Sequence, residues 1–174
     1  MKFKTNEMIK ASLFIALGLV LPFAFHQIGL GQALLPMHIP VLLCGFILGG
    51  RYGIIVGLIT PFLSSILTGM PPIYPAALSM ALELATYGFV SGYLYKKKNT
   101  NIFLSLIISM LLGRLVSGTT NYLLLSMAGK PYAFKIFITA SFITPISGII
   151  LQLVLIPVIV KSLYKIQKGT TVNG

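Results

Sequence analysis

Apolar residues run along this chain in blocks too long and unbroken for the amphipathic elements of a water-soluble fold. Six such blocks fall at 8–25, 39–50, 53–67, 75–95, 102–127 and 136–163. A helix needs roughly 20 mostly apolar residues to cross the hydrocarbon of a bilayer. In that solvent only helices and closed barrels satisfy their own backbone groups. The pattern predicts an all-α membrane protein, a six-transmembrane-helix bundle forming a single integral domain over residues 1–174. The block at 39–50 is short, which predicts a tilted helix or a preceding loop, HQIGLGQALLPMH, that folds back into the membrane. RYG, Arg51 to Gly53, is read as a tight turn and TGMPPIYP as a rigid proline-rich loop. From Tyr164 onward the chain becomes a polar tail.

Charge fixes an orientation for these blocks. Only 9% of residues are charged and 56% are hydrophobic, whereas a soluble domain carries roughly 25% charged residues. A net charge of +11 on a soluble protein would point to nucleic acid. Here the basic residues sit between apolar blocks and report topology instead. With six spans, ten of them share one face: Lys2, Lys4, Lys10, Arg51, Lys96, Lys97, Lys98, Lys161, Lys165 and Lys168. Two, Lys130 and Lys135, lie on the other, and Arg114 falls inside a span. The positive-inside rule then places both termini in the cytoplasm. The first block has the basic flank of a signal peptide, but its length argues for a retained span. The single cysteine, Cys44, lies in an apolar block and reads as a small buried thiol. Glycines four apart, Gly45/Gly49, Gly53/Gly57 and Gly88/Gly92, predict close helix packing.

Against this background one residue stands out. The chain has two acidic residues, and one of them, Glu83, lies near the middle of the fourth block, Pro75 to Tyr95. An acid at the centre of a membrane helix costs about 2.5 kcal/mol or more, so something compensates it. Ser79 and Tyr87 lie one turn either side of Glu83, with Thr86 beside them. In the fifth block Arg114, Ser117, Gly118 and Asn121 share a face, and the sixth carries Thr139, Ser141, Thr144, Ser147 and Gln152, with Pro145 breaking its ladder. Two readings stand side by side. Glu83 and Arg114 form a buried ion pair that fixes helix register, or they form the floor and wall of a ligand pocket open to the outer face. The spread of polar groups over three helices favours the pocket. His26 and His38 bracket the first outer loop, where His38 is a candidate ligand contact; Tyr74 and Tyr132 flank outer loops as interface anchors or stacking partners.

Chemistry is sparse elsewhere. Two acids, two histidines and one buried cysteine give poor material for a hydrolase, a transferase or a metal centre. No Walker sequence or dinucleotide glycine pattern is present. The sequence predicts no enzyme, no catalytic residue, no metal and no cofactor. Any uphill transport would draw its energy from a partner or an ion gradient.

Residues 37–72, MHIPVLLCGFILGGRYGIIVGLITPFLSSILTGMPP, resemble the second and third helices of the S components of energy-coupling factor (ECF) transporters. The short chain, the lid-like first outer loop and the polar outer halves of the last three blocks resemble that family too. The resemblance implies a bacterial cell-membrane protein that binds a vitamin-like solute from outside. It implies docking on a coupling membrane protein with two ATPases, and toppling in the lipid to release the solute inward. It assigns Ser12 and Ala16, four apart on the first helix, to the docking face, with serine where the family usually has alanine. It places Glu83 at a ligand-contacting position, among Ser79, Tyr87, Arg114, Ser117, Asn121, Ser147 and His38 as expected contacts. The carboxylate of Glu83 favours a small donor-bearing heterocycle, which is the expected substrate; Arg114 could instead claim an acid such as pantothenate or nicotinate. The alternatives are a self-contained proton-coupled carrier using Glu83 as relay, and a structural membrane protein without a ligand.

Overall fold

The computed structural model describes residues 4–27, 29, 31–130 and 132–170, without the side chains of Gln32 and 166–170. Lys2 and the Lys168 side chain, both counted for orientation, lie outside the described residues, as does the end of the polar tail, 171–174. Every regular element among the described residues is helical: α1 (Thr5–Gln27), α2 (Gly31–Leu34), α3 (His38–Leu48), α4 (Gly50–Thr68), α5 (Leu78–Gly92), α6 (Ile102–Met127), α7 (Phe134–Ile138) and α8 (Ile146–Thr170). Single π-helical turns precede α5 (Ile73–Ala77), follow it (Tyr93–Lys97) and follow α7 (Thr139–Ile143). Five stretches are long and apolar enough to cross a membrane: Thr5–Gln27, Gly50–Thr68, Ile73–Lys97, Ile102–Met127 and Ile146–Lys165.

The two remaining apolar pieces depart from a simple up-and-down bundle. α3 has 11 residues, about 16 Å at 1.5 Å per residue, roughly half the hydrocarbon thickness. The loop before it folds back, and its short α2 packs on α8. The last block is split, because Pro145 has no N–H and its ring crowds the carbonyl four residues earlier; α8 starts one residue later. The turn between α3 and α4 falls at Gly49, whose φ of 100° ends α3, while Arg51 to Gly53 form the first turn of α4. Few residues but glycine hold that φ without strain, so Gly49 breaks the helix, while its backbone and that of Gly45 both pack against Gly92.

α5 is the centre of the bundle, flanked by α3, α4 and α6. A Cβ added to Gly53 would stand 2.4 Å from the Gly88 carbonyl oxygen, and one on Gly88 would stand 2.4 Å from that of Gly53. The two helices meet backbone to backbone. Without a hydrophobic force between helices in lipid, such close approach supplies the packing energy. The start of α5 is held as firmly. Gly69 ends α4 in the left-handed region at φ 73°. Ser64 donates to the Met70 carbonyl at 2.7 Å, Ser65 to that of Pro71, and the Tyr74 hydroxyl to that of Leu124 on α6.

Gly88→Ala should lower the thermal unfolding midpoint in detergent, by an amount corresponding to about 1–3 kcal/mol of overpacking. Gly118→Ala should cost less, because its neighbour is the ring of Phe137, which can turn aside, and not backbone.

Candidate functional site

α5 carries Ser79, Glu83 and Tyr87 on successive turns of its inward face, and all three are buried. α6 lies against that face and presents Arg114, Ser117 and Asn121 to it. Close contact is possible because Gly113 has no side chain: a Cβ there would fall 2.0 Å from the Tyr87 ring. His38, the first residue of α3, closes the third side, its ring edge-on to that of Tyr87 with centroids 5.4 Å apart.

The groups form two linked clusters. In the first, one oxygen of Glu83, Oε1, takes three partners. Arg114 Nη1 lies 3.1 Å away, the Tyr87 hydroxyl donates at 3.0 Å, and His38 Nε2 stands at 3.5 Å. In the second, one turn nearer the proline-rich loop, Asn121 Nδ2 donates to Ser79 Oγ at 2.7 Å. Ser79 and Ser117 share a hydroxyl–hydroxyl hydrogen bond of 3.1 Å. Seven of the eight residues expected to contact a ligand are thus brought together from α3, α5 and α6. The eighth, Ser147, is apart: its hydroxyl donates to the Ala33 carbonyl at 3.1 Å, fastening α2 to α8.

The expected open pocket is a closed one here. Glu83 and Arg114 are each only 5% exposed. Two cavities, of about 380 Å³ beside Tyr95, Lys96 and Tyr164 and of about 300 Å³ beside Lys135 and Thr139, both lie away from Glu83. The ion-pair reading and the polar cluster are therefore both present, with the pair at the heart of the cluster. The pair leaves groups over. Arg114 Nε and Nη2, both ring nitrogens of His38 and both amide atoms of Gln152 are buried with no hydrogen-bond partner among the described residues. Buried polar groups are nearly always paired, and each exception calls for an explanation.

Two further residues bear on the cluster. Gln152 belongs to the polar set of the sixth block, yet it is fully buried on the inward line of α8 with Ile156 and Val160. One turn earlier, Gly148 lets the backbone of Ala33 and Leu34 close over it. Tyr132, in the segment between α6 and α7, has its phenol pushed above its ordinary range, first by burial and then by the negative charge of Glu83. It stands within reach of the cluster's field. Of the expected docking residues, Ser12 and Ala16 both lie on the exposed side of α1, opposite its buried Ala11, Gly18 and Pro22.

A family model described as the substrate-specific component of ECF transporters matches residues 6–165. The chain belongs to that family. No curated protein and no solved structure matches it significantly. As an S component it is a membrane-embedded transport subunit, and the polar cluster among α3, α5 and α6 is its candidate recognition site.

Removing one partner from a buried ion pair strands the other charge, at a cost of about 3–5 kcal/mol. Arg114→Met should therefore destabilise the apo protein strongly. The double variant Glu83→Gln/Arg114→Met should recover much of that loss in a thermal-unfolding cycle.

Proposed function

We propose that this S component captures a small water-soluble vitamin or related micronutrient from the outer face of a bacterial cell membrane. The bundle counts six membrane passages, the five long ones and α3, with α7 leading into the last of them, and both termini are cytoplasmic. One observation carries the reading: an S component whose three central helices bury a charged, hydrogen-bonded cluster with donors to spare. Glu83, Arg114, His38, Tyr87, Ser79, Ser117 and Asn121 form the recognition site.

Delivery follows the family's scheme. The loaded subunit docks through the Ser12–Ala16 face of α1 on a coupling membrane protein carrying two ATPases, and topples to release the solute inward. The chain performs no catalysis itself, and no metal or cofactor takes part.

A thermal-shift screen of vitamins and nucleobases on the purified protein tests capture. A ligand at 100 times its dissociation constant stabilises by about 2.7 kcal/mol. One compound should raise the melting temperature, and Glu83→Gln should lose most of that rise; no shift with any compound would remove the capture role. Docking is tested separately in vesicles containing the energising module. There Ala16→Leu should collapse ATP-dependent uptake although the ligand still raises the melting temperature.

A further inference from the structure

The groups that the cluster leaves unpaired specify what it accepts. The guanidinium of Arg114 is planar, with its N–H bonds in a fixed fork. Its Nη1 is committed to Glu83 at 3.1 Å. Its Nε and Nη2, which lie along one side of the plane and point their hydrogens in parallel, are buried without a partner among the described residues. That edge suits two acceptor atoms set side by side.

Charge narrows the match. Glu83 and Arg114 cancel one another, and the other members are hydroxyls, amides and an imidazole, which carry no fixed charge. A carboxylate seated on the free edge would place a second anion close to Glu83 in a dry site, where like charges repel strongly. An ammonium group would meet the guanidinium itself. Glu83 has no charge to spare for a cationic or donor-rich ring, which departs from the donor-bearing heterocycle expected from the sequence.

Resting on the capture role above, we propose that the solute is an uncharged nitrogen heterocycle. It binds through an edge that sets a carbonyl oxygen beside an unprotonated ring nitrogen, both accepting from Arg114 Nε and Nη2. Guanine offers such an edge to arginine through O6 and N7. Glu83 is a positioning residue: it occupies Nη1 and so turns the opposite edge of the fork toward the solute. The Nδ1 of His38, whose Nε2 faces the same carboxylate oxygen, and the buried amide of Gln152 are further polar groups available to the ring's rim.

Titration calorimetry on the full chain in detergent at neutral pH tests this with probes that differ by one atom. Hypoxanthine and lumiflavin carry the two-acceptor edge; 7-deazahypoxanthine and 5-deazalumiflavin lose only its ring nitrogen. Nicotinate and 3-(aminomethyl)pyridine serve as the anionic and cationic probes. At least one edge-bearing ring should bind, about tenfold or more tighter than its deaza partner, the scale of a lost bidentate contact. Arg114→Lys, which keeps the charge but not the fork, should erase that preference. Glu83→Gln leaves the guanidinium uncancelled and should turn the site toward nicotinate, a change that a merely structural role would not produce. If these variants fail to fold, the deaza comparison on the wild type decides alone. Equal binding of a ring and its deaza partner, or tighter wild-type binding of nicotinate or the amine, overturns the proposal. So does a vitamin-screen ligand lacking the edge, while leaving capture standing. No ligand in either assay overturns capture itself.

Discussion

A carboxylate and a guanidinium held 3.1 Å apart between α5 and α6 are the constraint on which the rest of this structure depends. Each charge alone would be expelled from the hydrocarbon or neutralised. Together, with the Tyr87 hydroxyl and His38 gathered on the same carboxylate oxygen, they are tolerated where hardly any water reaches. A buried pair is weak evidence for stability, since apolar residues of similar volume often serve as well. Its persistence here fits a role in recognition, where the pair holds one edge of Arg114 ready.

The surrounding architecture keeps that pair in register. Backbone contact of Gly53 with Gly88 seats α5 against α4, and Gly113 lets α6 close over the Tyr87 ring. The serine and tyrosine hydrogen bonds of the proline-rich segment fix where α5 begins. Such close-packed contacts leave little freedom for the side chains of the central helices. α2 and α8 pack more loosely on that core: they meet each other through Gly148 and Ser147, and α8 touches α6 only sparsely. An S component must both admit a solute and seal it, and this division between a rigid centre and a lighter cover suits that task.

Much of this was legible in the residue pattern. The long apolar blocks announced the helices, and an acid and an arginine within them announced the buried cluster, because burying either charge demands a reason. Helical spacing put Ser79, Glu83 and Tyr87 on one face and Arg114, Ser117 and Asn121 on another. Three features were not legible. The break at Gly49 depends on a backbone angle that sequence does not declare among so many glycines. The separation of Ser147 from the cluster depends on where the first loop folds back, a tertiary contact with no local signal. The closure of the site depends on how the short α3 brings His38 onto Tyr87. Gln152 gave a signal, a lone amide in an apolar helix, but burial and lack of a partner emerge only once α8 is packed.

The family match extends over nearly the whole chain and supplies the role; the cluster supplies the chemistry. The most direct measurement of their connection is the ¹⁵N spectrum of the arginine side chains, with and without the captured solute. The chain has only two arginines, Arg51 and Arg114, so assignment is simple. The Nε and Nη2 resonances of Arg114 should move on binding while Nη1, held by Glu83, stays. Movement of Nη1 alone, or no change at Arg114 with solute bound, would contradict it.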